Sequence, residues 1–201
     1  MNPPGTFERV YATIKQRLRE GAYKPGERLE PAALADELNA SVTPVRDALH
    51  RLTGERLVEA PRHEGFRVPM LTETRLRHLY RWHLDLLLLA LMKHGEEDLA
   101  RDETAIGAAS HQERRRAAFA ALARAIDNPE HAVALRALGE RLDAIGEIEE
   151  LFLGDTATET AEIIDALRSN DRRKLRRSLL HYHRRRERLV PEIIARLQNA
   201  S

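Results

Sequence analysis

The sequence predicts a mainly α protein: three helices closed by a β-ribbon, then an all-α helical bundle. Three observations predict it. Apolar residues recur at helical spacing through most of the chain. The two strand-like stretches, LVEA and FRV, flank a loop of turn formers, Pro61-Arg62-His63-Glu64-Gly65. Pro69 then interrupts the pattern, and the charge balance shifts beyond it. Residues 1–69 hold 11 Lys/Arg against 10 Asp/Glu, residues 70–170 hold 12 against 19, and residues 171–201 hold 10 against 3. The expected domains are therefore 1–69 and 70–201.

The first helix is written in FERVYATIKQRL, where Phe7, Val10, Tyr11, Ile14 and Leu18 share one face. Thr6 is its expected cap and Gly21 its stop. Pro25-Gly26 marks a turn, and PAALADELN a short second helix with Pro31 in its first turn and Leu34, Ala35 and Leu38 inward. After the Asn39-Ala40 turn, SVTPVRDALHRL opens a third helix that tolerates Pro44, because an amide in the first turn has no intrahelical partner. Ser41 or Thr43 is its expected cap. At 100° per residue Val45, Ala48, Leu49 and Leu52 form an inward arc, and Val42, Thr43, Arg46, Asp47 and His50 the opposite one.

Helix, helix, tight turn, helix and ribbon is the order of a winged helix-turn-helix. In such DNA-binding units the second helix of the pair enters the major groove by its N-terminal residues. The outer arc is then the DNA-facing one, with a first turn stiffened by Pro44 and amides suited to a phosphate.

Composition narrows the alternatives. The chain has 201 residues, 32% of them charged, and no cysteine, which excludes disulfides, thiolate zinc sites and cysteine nucleophiles. MNPPGTFERV has no basic-then-apolar leader pattern. LDLLLLALM, Leu84 to Met92, is far below the roughly 20 residues needed to span a bilayer, so it is expected as a buried helix or a dimer interface. A cytoplasmic protein is the expectation. No Gly-rich phosphate loop, nucleophile motif or metal-spaced ligand cluster supports an enzyme, and Glu149-Glu150 stand as its paired acids without such a context.

The stretch PGERLEPAALADELNASVTPVRDALHRLTGERLVEA, with PRHEGFRV, resembles the DNA-binding domain of the GntR family of transcription factors. The family pattern is P-G-x-x-L, a helix with L-A-x-x-L, then S-R-T-P-V-R-E-A-L-x-x-L-x-x-x-G-L-V and a glycine-containing wing. Matching positions are Pro25, Gly26, Leu29, Leu34, Ala35, Leu38, Ser41, Thr43 to Arg46, Ala48, Leu49, Leu52, Leu57, Val58 and Gly65. The resemblance implies DNA contacts at Ser41, Val42, Thr43, Arg46, His50 and Arg51 and, in the wing, at Arg62, His63, Gly65 and Arg67. Two departures weaken it: Val42 stands where the family carries an arginine, and Ala32 stands at another such position. An arginine reading guanine is worth roughly 1–3 kcal/mol of discrimination, so an atypical operator, weaker binding or heavier reliance on Arg62, His63 and Arg67 in the wing is expected.

Beyond Pro69, Thr72 is expected to cap a helix running through TETRLRHLYRWHLDLLLLALMKHG. Glu96 to Ala109 is poorly patterned. Ser110-His111-Gln112-Glu113 has the form of a capping box opening a helix to about Asp127. Asn128-Pro129 starts another, with Leu135, Leu138, Leu142, Ile145 and Ile148 inward and Gly154 as its stop. Thr156-Ala157-Thr158-Glu159 is a second box form, and Asp171 caps a last helix kinked at Pro191. Five or six helices are expected.

An all-helical domain after such a winged helix is similar to the FadR-like (FCD) branch of the family, closer to its short VanR-like members. That resemblance implies a homodimer binding an inverted-repeat operator on double-stranded DNA, a repressor, and a small-molecule effector such as an organic acid in the bundle. The metal-binding pattern of that branch falls on Arg116, Ala120, Thr160 and Tyr182, so no metal and no cofactor are expected. His181 and His183 lie about 200° apart on a helix, which keeps both from facing one pocket. Arg116 is the expected effector clamp, with Tyr182, His183 and Arg186 beside it. His78, His83, His94, His111 and His131 are expected as surface or capping residues. The competing expectation is a protein-interaction scaffold whose winged helix no longer reads DNA.

Overall fold

The computed structural model describes residues 5–93, 110–124 and 126–199. Helix α1, Thr6–Arg19, buries Val10, Ile14 and Leu18 at one-turn spacing. Gly5, rather than Thr6, takes its N-cap position. Its end is the left-handed Gly21, φ 70°. Helix α2, Pro31–Glu37, begins on its proline, and α3, Val42–Gly54, follows a turn in which Asn39 is left-handed. Ser41 holds the N-cap position of α3 in extended conformation, while Thr43 lies within the first turn. Pro44 is buried beside Val45, Ala48, Leu49 and Leu52. The proline therefore serves the core as well as the turn.

The ribbon departs from expectation. LVEA is not a strand; the sheet pairs β1, Arg28–Leu29, with β2, Phe66–Arg67, antiparallel, Leu29 opposite Phe66. Glu59 alone bridges Arg67, through amides bonded at 2.8 and 2.9 Å. The amides of Leu57 and Val58 turn back to the Leu52 carbonyl, at 3.0 and 3.3 Å, with Arg56 left-handed. The chain leaving α3 thus closes a helix C-terminus before it can extend.

Helix α4, Glu73–Lys93, is capped by Thr72, whose hydroxyl accepts from the Arg75 amide at 3.2 Å. Helix α5, His111–Arg124, opens on the expected box: Ser110 N–H donates to Glu113 at 2.9 Å and Glu113 N–H to Ser110 Oγ at 3.3 Å. Helix α6, Pro129–Asp143, is capped by Asn128 Oδ1. The helix expected to run on to Gly154 instead breaks at Ala144–Ile145, and α7 is Gly146–Phe152. Helix α8, Thr156–Arg168, has Asp155 as its N-cap residue, so the second expected box does not form. The Glu159 carboxylate is drawn inward to Arg186 instead.

Asp171 caps α9, Arg172–Arg188, accepting from the Lys174 amide at 2.9 Å. Leu189 separates it from α10, Val190–Asn199, which carries Pro191 in its first turn. The Glu187 carbonyl, which an amide at position 191 would have met, accepts from Arg77 Nη1 at 2.7 Å. Two expected helices are each broken, giving seven past Pro69 among the described residues. The expectation for Glu96 to Ala109, and His94, fall outside those residues.

Two hydrophobic clusters result. One gathers Val10, Ile14, Leu29, Leu34, Val45, Leu49, Leu52 and Phe66. The other gathers Leu76, Tyr80, Leu87, Leu122, Leu135, Ile163, Leu179 and Ile193. Each fully buried aliphatic side chain contributes roughly 1.5–3 kcal/mol. Within Leu84 to Met92, Leu86, Leu87, Ala90 and Leu91 are buried, while Leu89 and Met92 face outward. No helix among the described residues is long and apolar enough to cross a membrane.

The clusters meet along α1 and α6. Lys15 Nζ reaches Glu140 at 2.9 Å, and Arg19 reaches Asp143 at 2.7 Å. A Cβ on Gly21 would stand 2.6 Å from the Ala144 carbonyl oxygen. Gly21→Ala is expected to destabilise by about 1–2 kcal/mol, since it combines a left-handed alanine with a backbone clash. Chemical denaturation measures this, and an unchanged midpoint would contradict the close approach.

Candidate nucleic-acid interface and bundle cavity

The residues expected on the outer arc of α3 are all there. Ser41, Val42, Thr43, Arg46, Asp47 and His50 are exposed, and the inward arc is fully buried. Arg46 has no ion-pair partner among the described residues. His50 sets its ring edge-on against Phe66 of β2 at 4.9 Å, tying α3 to the wing. Arg51 is exposed but has partners on its own unit. Its guanidinium lies 4.0 Å from the Tyr11 ring centroid and 3.6 Å from both Glu8 and Glu55, so it packs on α1.

The wing tip is bent by two left-handed residues, His63 (φ 63°) and Gly65 (φ 75°). Arg62 and His63 project outward. Arg67 points back, pairing with Glu64 at 3.0 Å and Glu59 at 3.4 Å, which stiffens the wing. Arg28 supports the tip by donating to the Glu64 carbonyl at 3.3 Å. Arg46, His50, Arg62 and His63 are thus the basic groups this surface offers.

The bundle contains a cavity of about 290 Å³ lined by Arg115, Arg116, His83, Phe119, Tyr182 and Asp143, with Arg19 of α1 at its edge. Two of the four expected effector residues, Arg116 and Tyr182, line it. His183 and Arg186 lie behind them, completely buried. Asp143 gathers three arginines: Arg19 at 2.7 Å, Arg116 at 3.1 Å and Arg115 at 3.8 Å. One carboxylate thereby links the cavity to the first cluster.

Behind the cavity lies a buried ionic network. Arg186 donates from Nε to Glu149 at 2.8 Å and from Nη1 to Glu159 at 2.7 Å, and it stacks on the Tyr182 ring at 3.3 Å. Arg115 donates to Glu149 at 3.2 Å, and the Tyr80 hydroxyl donates to its other oxygen at 2.6 Å. Burial raises the Tyr80 pKa, and the Glu149 charge adds to this, so the phenol keeps its proton. Gly146 makes room for Arg115, whose Nη2 would lie 2.8 Å from a Cβ there.

His83 and His131 are buried, against expectation. His131 Nε2 lies 2.9 Å from the Leu86 carbonyl. His183 Nδ1 lies 2.7 Å from the Leu179 carbonyl, which only accepts, so this nitrogen carries the proton. His183 Nε2 is then the acceptor for His83 Nδ1–H at 3.0 Å. His83 Nε2 is left as a lone pair, with no partner among the described residues. Burial pushes the His183 pKa down to about 3 and that of His83 well below its usual value, so both rings are neutral.

Sequence reasoning chose Arg116 and missed Arg115, its neighbour in the same arginine run. Arg115 lies one position further round the helix and faces the interior. It also missed Glu149, treated only as half of an acidic pair, and Glu159, treated as a cap. The available signal was positional: Glu149 falls one turn after Ile145, an expected inward residue.

Residues 6–68 match the gntR family of bacterial regulatory proteins. The HTH-type transcriptional regulator McbR of Escherichia coli K12 is 37% identical over 78 residues, 39% of this chain and 35% of that protein. The matched segment thus spans about a third of that relative's length. Two solved structures are similar over nearly the whole chain. One is a structural-genomics GntR protein from Rhodococcus sp. RHA1, with TM-score 0.73, 20% identity, and 94% and 99% of the two chains covered. The other is E. coli McbR/YncC, with TM-score 0.67, 22% identity, and coverage of 93% and 97%. At such identities the likeness establishes the fold of both parts.

Two outcomes are expected of the network. Glu149→Gln removes the charge shared by two buried guanidiniums, leaving Arg186 with Glu159 and Arg115 with the more distant Asp143, and should cost about 3 kcal/mol in urea unfolding. A loss within experimental error would mean that the arginines find other partners. Stability should also fall as the pH drops below about 6.5. There the unfolded chain takes up protons that the folded His83 and His183 refuse, until His183 titrates near 3. Midpoints at pH 7 and 5 should differ, and the difference should shrink in His83→Gln/His183→Gln.

Proposed function

Since residues 6–68 match the gntR family of bacterial regulatory proteins, we propose that this chain is a homodimeric DNA-binding transcription repressor controlled by a small organic acid. The protein acts in the cytoplasm on an inverted-repeat operator, each copy placing α3 in a major groove with half-sites about one helical turn apart. The observation that carries this reading is the outer arc of α3, where Arg46 stands exposed on a helix whose other face is wholly core. Ser41, Val42 and Thr43 lead that helix, and the wing adds Arg62 and His63. Val42 offers a base edge at most an apolar contact, as with a thymine methyl.

Dimerisation is supported by α4, which leaves Trp82, Leu89 and Met92 exposed at 51, 39 and 81%. Exposed large apolar side chains that recur along one helix suit an interaction site. The effector reading is supported by the arginines of the bundle cavity. A carboxylate there takes Arg115 and Arg116 as a bidentate clamp and draws them from Asp143. Asp143 also holds Arg19 of α1, so such a ligand alters how the reading unit docks. It shifts the DNA-binding equilibrium only by its different affinity for the two arrangements.

The test is fluorescence anisotropy with duplex DNA from upstream of the chain's own gene, against a shuffled duplex. Selective binding should weaken by orders of magnitude between about 50 and 200 mM salt. Arg46→Ala should lower operator affinity roughly ten- to a hundredfold while leaving thermal stability intact, because the side chain packs on nothing. Binding indifferent to sequence and to Arg46 would sink the DNA-reading function and favour the scaffold.

A further inference from the structure

A second cavity, of about 280 Å³, lies between the two hydrophobic clusters. Its walls are largely apolar: Leu18 and Tyr23 come from the first unit, and Leu79, Ile145, Ile148 and Leu197 from the bundle. Three arginines edge it. Arg56 comes from the left-handed turn after α3, Arg75 from α4 and Arg141 from α6. The same three also line a shallower hollow beneath the wing, so they stand where the two spaces meet.

These arginines are poorly matched in charge. Arg75 reaches Glu59 at 2.9 Å and the Met70 carbonyl at 3.1 Å. Glu59 is itself shared with Arg67. Among the described residues, no carboxylate comes within ion-pair distance of Arg56 or Arg141. Arg141 is half-buried; burial, then the charges of Arg75 and Arg56, weaken its hold on its proton. A guanidinium does not lose that proton near neutral pH. The repulsion is relieved only when an anion arrives.

We infer that this cavity binds a small amphipathic carboxylate, its head clamped by Arg141 and Arg56 and its aliphatic tail against the apolar walls. A planar two-oxygen head matches the guanidinium fork. The volume sits near the lower end of the roughly 300–1,000 Å³ typical of small-molecule sites, which suits a tail of octanoate length. The site is separate from the DNA-facing arc and from the bundle cavity, so it stands whether or not those readings hold. A ligand here touches both units and fixes their relation.

Isothermal titration of the full chain with sodium octanoate tests it, with octanol keeping only the tail and acetate only the head. Saturable binding of one octanoate per chain is expected. Octanol and Arg141→Gln should each weaken binding roughly ten- to a hundredfold, as loss of a charged hydrogen-bonding partner does, and acetate at least as much, because it forfeits the burial of the tail. Arg116→Gln, in the other cavity, should leave it unchanged. The melting temperature of ligand-free Arg141→Gln should not fall, since the arginine has no ionic partner to lose. Octanol binding as tightly as octanoate, full binding by Arg141→Gln, no octanoate binding at all, or its loss in Arg116→Gln would each overturn the proposal.

Discussion

The constraint on which the bundle depends is that Arg115 and Arg186 lie inside it and cannot be neutralised by losing a proton. Both are almost fully buried, and taking such charges from water costs several kcal/mol each unless anions meet them in good geometry. Glu149 and Glu159 meet them, at 1 and 4% exposure. Much of the local architecture follows. The chain breaks after α6 so that α7 can swing Glu149 inward, and Gly146 leaves space for the guanidinium. Glu159 forgoes a cap on α8. The register of α9 puts Leu179, Tyr182, His183 and Arg186 on one buried face. Apolar packing alone would admit several such registers, whereas the ion pairs admit one.

The same logic extends to the contact between the clusters. Asp143 is buried beside three arginines from two parts of the chain. Its carboxylate takes one partner, Arg19, from α1 and two, Arg115 and Arg116, from the cavity. Lys15 adds a second tie, bridging Glu55 of the first unit and Glu140 of the second. The contact between units thus carries partly buried ion pairs beside its apolar side chains, whereas the first of the two cores it joins is apolar throughout. A polar contact yields to a competing anion at modest cost, and an apolar one would not.

Sequence made the first unit legible because its signals were local. Pro31, Pro44, Asn39 and Gly21 each mark a turn through backbone chemistry that neighbours do not override. The strand Arg28–Leu29 was hidden because two residues carry no periodicity, and its partner is remote in the chain. In the bundle, caps made by short side chains were legible at Ser110, Asn128 and Asp171. The box at Thr156 failed because a buried arginine competed for its glutamate, a tertiary demand no local pattern reveals. His83 and His131 were misplaced for a similar reason. A histidine's burial depends on what its ring nitrogens find across the bundle, here His183 and the Leu86 carbonyl.

The uneven charge of the chain also takes its meaning from contacts. The C-terminal segment is strongly basic, with 10 Lys/Arg against 3 Asp/Glu in residues 171–201. Within the fold Lys174 meets Asp165, Arg185 meets Asp155, and Arg186 meets Glu149 and Glu159. These partners all come from the acidic middle segment, so part of the asymmetry along the chain is cancelled in space. The first unit carries nearly balanced charge, and Arg51 and Arg67 are turned to internal partners. A single copy therefore brings few free cations to a phosphate backbone, and long-range steering by such a surface is weak. On the reading proposed above, affinity must come from short contacts made twice, with the second unit held at high effective concentration by the first. On that same reading the exposed apolar residues of α4 would matter to DNA binding as much as the reading helix does, because they would hold the second copy.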